Sequence, residues 1–345
     1  GNVYSVNTLG GVLGSVIAGF LHIPTIGIQR GIVLVAAIAV VLGAVLLFSD
    51  PVMERKSKTV MAIGSVVLFG AFGIYYVTGG HLDLISYTER IEAAEVLSYE
   101  EGVGATVKVF QNEFGENLVS INGFPVAGEP LGLQDAQKAL AHLPLLLSDA
   151  PNPRVNLIGF GAGGASWGVM QYDVERVDCV ELVPAVINAA KWFPTVNHGV
   201  VGHPKYQVIL EDGRNYALVA DEKYDVISID ATSPKMAGNG SLYALEFYEL
   251  LKERLNPGGV VVQWFPLHLL SDAEVRMTTK TFLEVYPHAT LWLTPLRQHS
   301  ILVGTEEELA IDLPSLKEKM ARANFQEEFA ELQVTDEVDL LSWFV

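Results

Sequence analysis

Eighteen consecutive residues, Gly31 to Phe48, carry no polar side chain. At a rise of about 1.5 Å per residue, a helix of this length is near what bilayer hydrocarbon requires. The competing reading, a helix buried in a large water-soluble core, rarely needs so long an uncharged stretch. A second run, Val60 to Val77, is interrupted only by Ser65 and the amphipathic pair Tyr75-Tyr76. A shorter one, Leu9 to Leu21, follows Ser5, Asn7 and Thr8 and reads as a further helix, first in chain order, lining a polar interior. Its Gly10 and Gly14 stand four apart, the small-residue spacing that lets membrane helices approach closely. Residues 1–80 are therefore expected to form about three transmembrane helices of a multi-pass cell-membrane protein. The chain opens on Gly1-Asn2 with no basic leader, so the pattern is not that of a signal peptide, and we expect an upstream part to be missing.

Charge divides as sharply as hydropathy. Residues 1–80 hold Arg30, Arg55, Lys56 and Lys58 against Asp50 and Glu54, a net of +2, while the whole chain is −18, which leaves −20 for residues 81–345. So acidic a soluble part argues against nucleic acid, whose binding rests on phosphate neutralisation by Lys and Arg. It suits a cationic substrate, and a solvated acidic surface accounts for most of the charge equally well. The one cysteine, Cys179, rules out an internal disulfide and sits in the strand-like Val177-Asp-Cys-Val180, where a small buried hydrophobe is expected. Two topology signals oppose each other. The link Ser49 to Thr59 carries three basic residues and the link His22 to Arg30 carries one, which puts the former in the cytoplasm and sends the acidic part to the far side. A domain that uses a cytosolic cofactor belongs in the cytoplasm, and that side is the expectation adopted.

A linker is expected from Gly79-Gly80 to about Tyr87, and residues 81–150 read as this linker and a small β-hairpin domain. Ala105 to Phe110 alternates, as does Asn117 to Ile121, and Asn122-Gly123 between apolar runs is a strong tight-turn signal. Leu133 to Leu147 is helical. From Arg154 strands and helices alternate. Strands are expected at Val155–Gly159, Arg176–Glu181, Tyr206–Glu211, Asp225–Asp230 and Gly259–Trp264, with a late one at Ile301–Val303. Helices are expected at Gly164–Gln171, Pro184–Phe193 and Leu245–Leu255. Residues 151–305 thus read as an open, mostly parallel sheet with helices on both faces. Residues 306–345 read as an acidic, partly amphipathic helical tail.

In such a sheet ligands bind beyond the carboxyl ends of the strands. After the first strand comes Gly159-Phe-Gly161-Ala-Gly163-Gly164, where glycines let the backbone turn sharply and come close to a ligand at a helix start. The spacing also satisfies the dinucleotide fingerprint, which alone is a weak signal. Glu181 ends the second strand, where a carboxylate accepts two hydrogen bonds from ribose hydroxyls; a solvated strand-end Glu is the plain alternative. Asp212-Gly213 follows the third, where an acidic residue accepts from an adenine amino group while the backbone donates to the ring; a strand-end turn is the plain alternative. This feature favours S-adenosyl cofactors over dinucleotides. Asp230 ends the fourth, where a carboxylate takes a proton from an attacking amine and holds it by charge; an N-cap or turn aspartate is the plain alternative. Gln263-Trp264 would close the cleft, with Trp264 equally suited to packing.

Taken together these segments resemble the spermidine synthases, the polyamine aminopropyltransferase family. The resemblance runs from about Arg90 to Gly304, and is carried by Ala141-His-Leu-Pro144, Val180-Glu-Leu-Val-Pro-Ala-Val-Ile187, Asp212-Gly-Arg-Asn-Tyr216 and Ser241-Leu-Tyr-Ala-Leu-Glu-Phe-Tyr248. The N-terminus, with Tyr4-Ser-Val-Asn-Thr-Leu-Gly10, is similar to a membrane-fused branch of that family. It implies a Rossmann-like, methyltransferase-type α/β sheet preceded by a small β-domain. It also implies decarboxylated S-adenosylmethionine as donor, a cationic amine such as putrescine as acceptor, no metal, and it allows a homodimer. By position Glu181 would hold the ribose, Asp212 and Gly213 the adenine, Asp230 would be the base, and Gln137 and Gln263 would line the cleft. Three positions depart from the family pattern. An acidic residue of the glycine loop is Ala162, the second aspartate after the fourth strand is Ser233, and the tyrosine before Gln137 is Ala136. The nucleoside half of the site is thus intact, whereas the amine half has lost two carboxylates and a ring. These losses keep two other readings open, an S-adenosylmethionine-dependent methyltransferase and a membrane-linked sensor of polyamine or S-adenosyl ligands; an NAD enzyme is the remote fourth.

Overall fold

The computed structural model describes residues 2–77, 95–231, 233–236, 238–322 and 325–345. The linker expected from Gly79-Gly80 to Tyr87 lies outside the described residues. The chain forms two compact units, residues 1–91 with 100–106, and residues 92–99 with 107–345.

In the first unit α1 (Asn2–Ile17) passes through a π-helical turn (Ala18–His22) into α2 (Ile23–Ser49), and α3 (Arg55–Val77) follows. The first helix begins at Asn2 rather than near Leu9, so Ser5, Asn7 and Thr8 are helical residues. Backbone at Gly27, with φ 81°, interrupts α2, and Glu101 Oε2 accepts the Ile28 N–H at 2.6 Å. A carboxylate thus satisfies a donor that the break leaves open. At the other end of α2 the Lys58 ammonium donates to the carbonyls of Phe48 and Asp50, the cation placement that a helix C-terminus favours. Three stretches, Asn2–Ile28, Arg30–Ser49 and Arg55–Ile74, are long and apolar enough to cross a membrane. Their side chains explain why: Val35, Val41, Leu46, Val67 and Leu68 are exposed rather than packed.

A four-stranded sheet has the order β1 (Glu95–Glu101), β2 (Thr106–Gln111), β3 (Asn117–Ile121), β4 (Phe124–Gly128). Asn122 and Gly123 join β3 to β4 with φ of 52° and 85°, the left-handed pair that a two-residue hairpin needs and that Asn-Gly signals. Then come α4 (Leu131–Leu147), β5 (Arg154–Ile158), α5 (Gly164–Val169), β6 (Arg176–Glu181), α6 (Pro184–Ala189), α7 (Pro194–Asn197), β7 (Tyr206–Leu210), α8 (Gly213–Val219) and β8 (Tyr224–Ile229). The chain continues with α9 (Leu245–Arg254), β9 (Leu255–Phe265), α10 (Asp272–Val285), β10 (Thr290–Leu293), β11 (Ser300–Gly304), α11 (Leu313–Arg322), α12 (Phe325–Glu328) and α13 (Glu337–Leu341). The large sheet has the order β7-β6-β5-β8-β9-β11-β10. β5 to β9 pair in parallel, as the near-continuous apolar strands require, while β11 runs antiparallel between β9 and β10.

Its two faces bury separate clusters. Val155, Leu157, Val260 and Val262 pack with Ala139 and Leu140 of α4. Ile158, Ile229, Val261 and Phe265 pack with Phe247, Leu251 and Phe282 of α9 and α10. Among the described residues of 306–345, α11, α12 and α13 do not form a solvated tail. Phe325, Phe329, Leu332 and Trp343 are buried in the α4-side cluster, and Phe344 bridges Trp292 of β10.

Candidate active site

The sheet order reverses between β5 and β8, the kind of place where open parallel sheets leave a crevice for ligands. Four residues at the tip of β5 each touch a different candidate from the sequence. Ile158 fills the space beside Gly213: a Cβ there would stand 2.6 Å from Ile158 Cγ2, so glycine lets the Asp212 turn come in over β5. Gly159 has φ 100°, a Cβ on it would meet the Asp230 carbonyl at 2.6 Å, and Asp230 N–H donates to Ile158 O at 2.9 Å. Phe160 N–H donates to Glu181 Oε2 at 2.9 Å. A Cβ on Gly161 would stand 2.7 Å from Gln137 Nε2 and 3.8 Å from Asp230 Oδ2. Glu181, Asp212-Gly213, Asp230 and Gln137 therefore gather around one turn of backbone, which Gly163 closes at the start of α5.

Each carboxylate is held differently. Glu181 is buried, and its Oε1 accepts the Val183 N–H at 2.8 Å while Oε2 takes Phe160. Burial raises its pKa against these backbone donors. Each oxygen keeps a further lone pair for a ligand hydroxyl. Asp212 caps α8, and both of its bonds, from Arg214 N–H and Asn215 N–H at 2.9 Å, fall on Oδ1. The strand-end turn is thus real, and one carboxylate oxygen stands apart from it. Asp230 is partly exposed at the tip of β8. Loss of hydration, then the negative charge of Glu181, push its pKa up to about 6 against the hydrogen bond from Gln137. Gln137 is buried on α4, takes the Gly164 N–H on Oε1 at 3.2 Å and directs Nε2 to Asp230 Oδ2 at 3.5 Å.

Gln263 is placed otherwise. It is fully buried, its amide accepts from the Tyr248 hydroxyl at 2.6 Å and donates to Leu242 O at 3.1 Å, and its strand neighbours Val261 and Phe265 lie in the cluster on the Ile229 face. Asp230 instead bonds to α4 on the opposite face. Two residues that sequence reasoning gave no role brace the site. The Tyr243 hydroxyl reaches Ala231 O at 3.4 Å and Trp264 O at 3.2 Å, tying the ends of β8 and β9 together. Its only signal was its place in Ser241-Leu-Tyr243. Asn197 donates to Ala162 O at 3.2 Å and to Ala190 O at 2.8 Å, pinning the glycine loop, and nothing in the sequence marked it. Ala162, Ser233 and Ala136, where the family pattern has two acids and a tyrosine, are all buried.

Comparison with known proteins bears on this geometry. A family profile described as the spermine/spermidine synthase domain matches residues 134–303. The chain is 30% identical over 203 residues to the spermidine synthase of Dictyostelium discoideum, covering 57% of this chain and 69% of that protein. It is 26% identical over 273 residues to polyamine aminopropyltransferase 1 of Streptomyces coelicolor, covering 76% of this chain and 50% of that protein. It thus spans about half the length of that relative and of the Pseudomonas aeruginosa polyamine aminopropyltransferase 1, where the figure is 49%. Among solved structures, a spermidine synthase in complex with the transition-state analogue AdoDATO superposes with a TM-score of 0.64 at 23% identity, covering 74% of this chain and 86% of that one. That likeness is one of fold. With the sheet order, the β-domain before it and the matched relatives in hand, the chain belongs to the spermine/spermidine synthase family.

Proposed function

We propose that the chain is an aminopropyltransferase, moving the aminopropyl group of decarboxylated S-adenosylmethionine to an amine such as putrescine and releasing methylthioadenosine. The observation that carries this reading is the convergence of Glu181, Asp212-Gly213, Asp230 and Gln137 on residues 158–161. The residues fit the donor. Glu181 has lone pairs for the ribose hydroxyls, Asp212 has an oxygen for the adenine amino group, and the glycine turn admits the nucleoside close to backbone. The donor supplies a sulfonium, a leaving group that needs no metal. The acceptor nitrogen attacks the propyl carbon in line; a C–N bond forms, the C–S bond breaks with its electron pair on sulfur, and the amine proton passes to Asp230. A base with a pKa near 6 is ionised at neutral pH yet still accepts a proton readily. Gln137 orients Asp230 Oδ2, and the packed tips of β5, β6 and β8 keep water away from the reacting atoms.

In this reading residues 1–80 cross the cell membrane, residues 81–150 lead into a β-domain, and residues 151–305 form the catalytic domain, whose core residues 306–345 complete. The catalytic part faces the cytoplasm, where a cytosolic donor is at hand. Asp230→Asn in the full chain in detergent is expected to lower turnover of putrescine by at least about 100-fold. It is also expected to remove the acidic limb near pH 6 from kcat/KM. Unchanged turnover removes the base assignment. Tighter binding of S-adenosylmethionine than of its decarboxylated form, with methyl transfer, replaces the reading by methylation.

A further inference from the structure

With two carboxylates and a ring absent from the amine half, the proposed acceptor needs another hold, and Trp264 lies where it is wanted. The register of β8 with β9 pairs Ile229 with Gln263, so the next residues, Asp230 and Trp264, stand side by side at the two strand tips. Side chains at paired positions leave a sheet on one face. That face is covered by α4: Ser228 Oγ donates to Leu140 O at 2.9 Å, Asp230 meets Gln137, and Trp264 packs against the cluster that contains Leu140 and Val262. The indole is also fixed in orientation. Its Nε1–H donates to His299 Nδ1 at 3.2 Å, and His299 Nε2 lies 3.0 Å from Gly132 O at the start of α4. An acceptor at Nδ1 requires the proton on Nε2, so His299 is neutral and donates to Gly132. Trp264 remains partly exposed, and α4 carries Ala136 where the family pattern has a tyrosine.

We propose that the face of the Trp264 indole is the acceptor subsite. It holds a primary amine by apolar contact with its carbon chain and by cation–π attraction to its distal ammonium, where the family pattern uses carboxylates. The class of acceptor is therefore an amine with a short aliphatic chain and at most one distal cation, and a second positive charge is not required for binding. The inference rests on the aminopropyltransferase reading and deepens it.

The test uses the full chain in detergent, with decarboxylated S-adenosylmethionine as donor and either putrescine or butylamine as acceptor. Trp264→Phe keeps an aromatic face without the N–H, and Trp264→Leu keeps bulk without the π-system. We expect Trp264→Leu to raise the acceptor KM about tenfold for putrescine and less for butylamine. We expect kcat and methylthioadenosine affinity to hold, and Trp264→Phe to stay within about threefold of the parent. Native methylthioadenosine affinity in Trp264→Leu also reports that the variant folds. If turnover is intact and Trp264→Leu leaves the acceptor KM unchanged, the subsite is wrong and the aminopropyl reading stands. If the parent protein neither binds nor uses either amine when loaded with donor, the functional reading falls and takes the subsite with it.

Discussion

In the proposed reading, Asp230 serves the chemistry at a cost in stability. In the folded chain its pKa is about 6 against an ordinary 3.8. Asp135, fully buried on α4 with no well-formed hydrogen bond to either oxygen, is likewise pushed up to about 6 by burial, against weaker help from the Thr294 hydroxyl and the Leu296 N–H. The folded state therefore holds protons that the unfolded chain has released between about pH 4 and 6, and stability falls as pH rises through that window. Asp230→Asn is expected to stabilise the protein by roughly 1–3 kcal/mol at pH 8, with most of the gain gone at pH 3.5, where the folded carboxyl and most of the unfolded one are protonated. Denaturant unfolding at the two pH values measures this, and equal stability at pH 8 contradicts it. The acid positions at the strand ends were legible because a parallel sheet dictates where to look. The face taken by Gln263 was not, because the tip of a strand gives no periodicity to read and its partners Tyr248 and Leu242 are what fix the side.

At the level of elements, the segment 306–345 misleads by its charge. Glu306, Glu307, Glu308, Glu327, Glu328 and Glu331 suggest a solvated tail, yet Phe325 and Phe329 stack at 4.2 Å with the His142 ring 5.1 Å from Phe329. Phe329→Ala is expected to cost about 3–5 kcal/mol, the usual range for emptying a fully buried aromatic site. A loss below about 1 kcal/mol in the same unfolding measurement places the segment outside the core. The strands β5 to β9 and the turn at Asn122-Gly123 were readable, because apolar runs and left-handed turns leave local marks. Short β10, Thr290-Leu-Trp-Leu293, left none. Nor does local sequence say that β11 inserts between β9 and β10, since that pairing is fixed by contacts distant along the chain. Helix α10 carried a visible capping box in Ser271-Asp-Ala-Glu274, formed in the structure, which periodicity alone passed over.

For the whole molecule, the proposed membrane placement gives meaning to the break at Gly27. A carboxylate side chain is costly in hydrocarbon, so in that placement Gly27 and Glu101 mark a watery border. From that border α2 leaves and α3 returns, two crossings that bring residues 100–106 back to the face they started from. In that placement the basic link at 50–58 lies on the other face. With Cys179→Ala as background, the exposed positions Val52→Cys and Val103→Cys are expected to react with a membrane-impermeant maleimide from opposite sides of sealed vesicles. Labelling from one side breaks the hairpin. Residue 27 is where this anchorage is decided. Its φ of 81° belongs to glycine, and any Cβ there would lie 2.5 Å from Glu101 Oε2. In the proposed reading, a side chain at that single point would loosen the membrane anchor and leave the aminopropyl chemistry untouched, separating where the protein works from how it works.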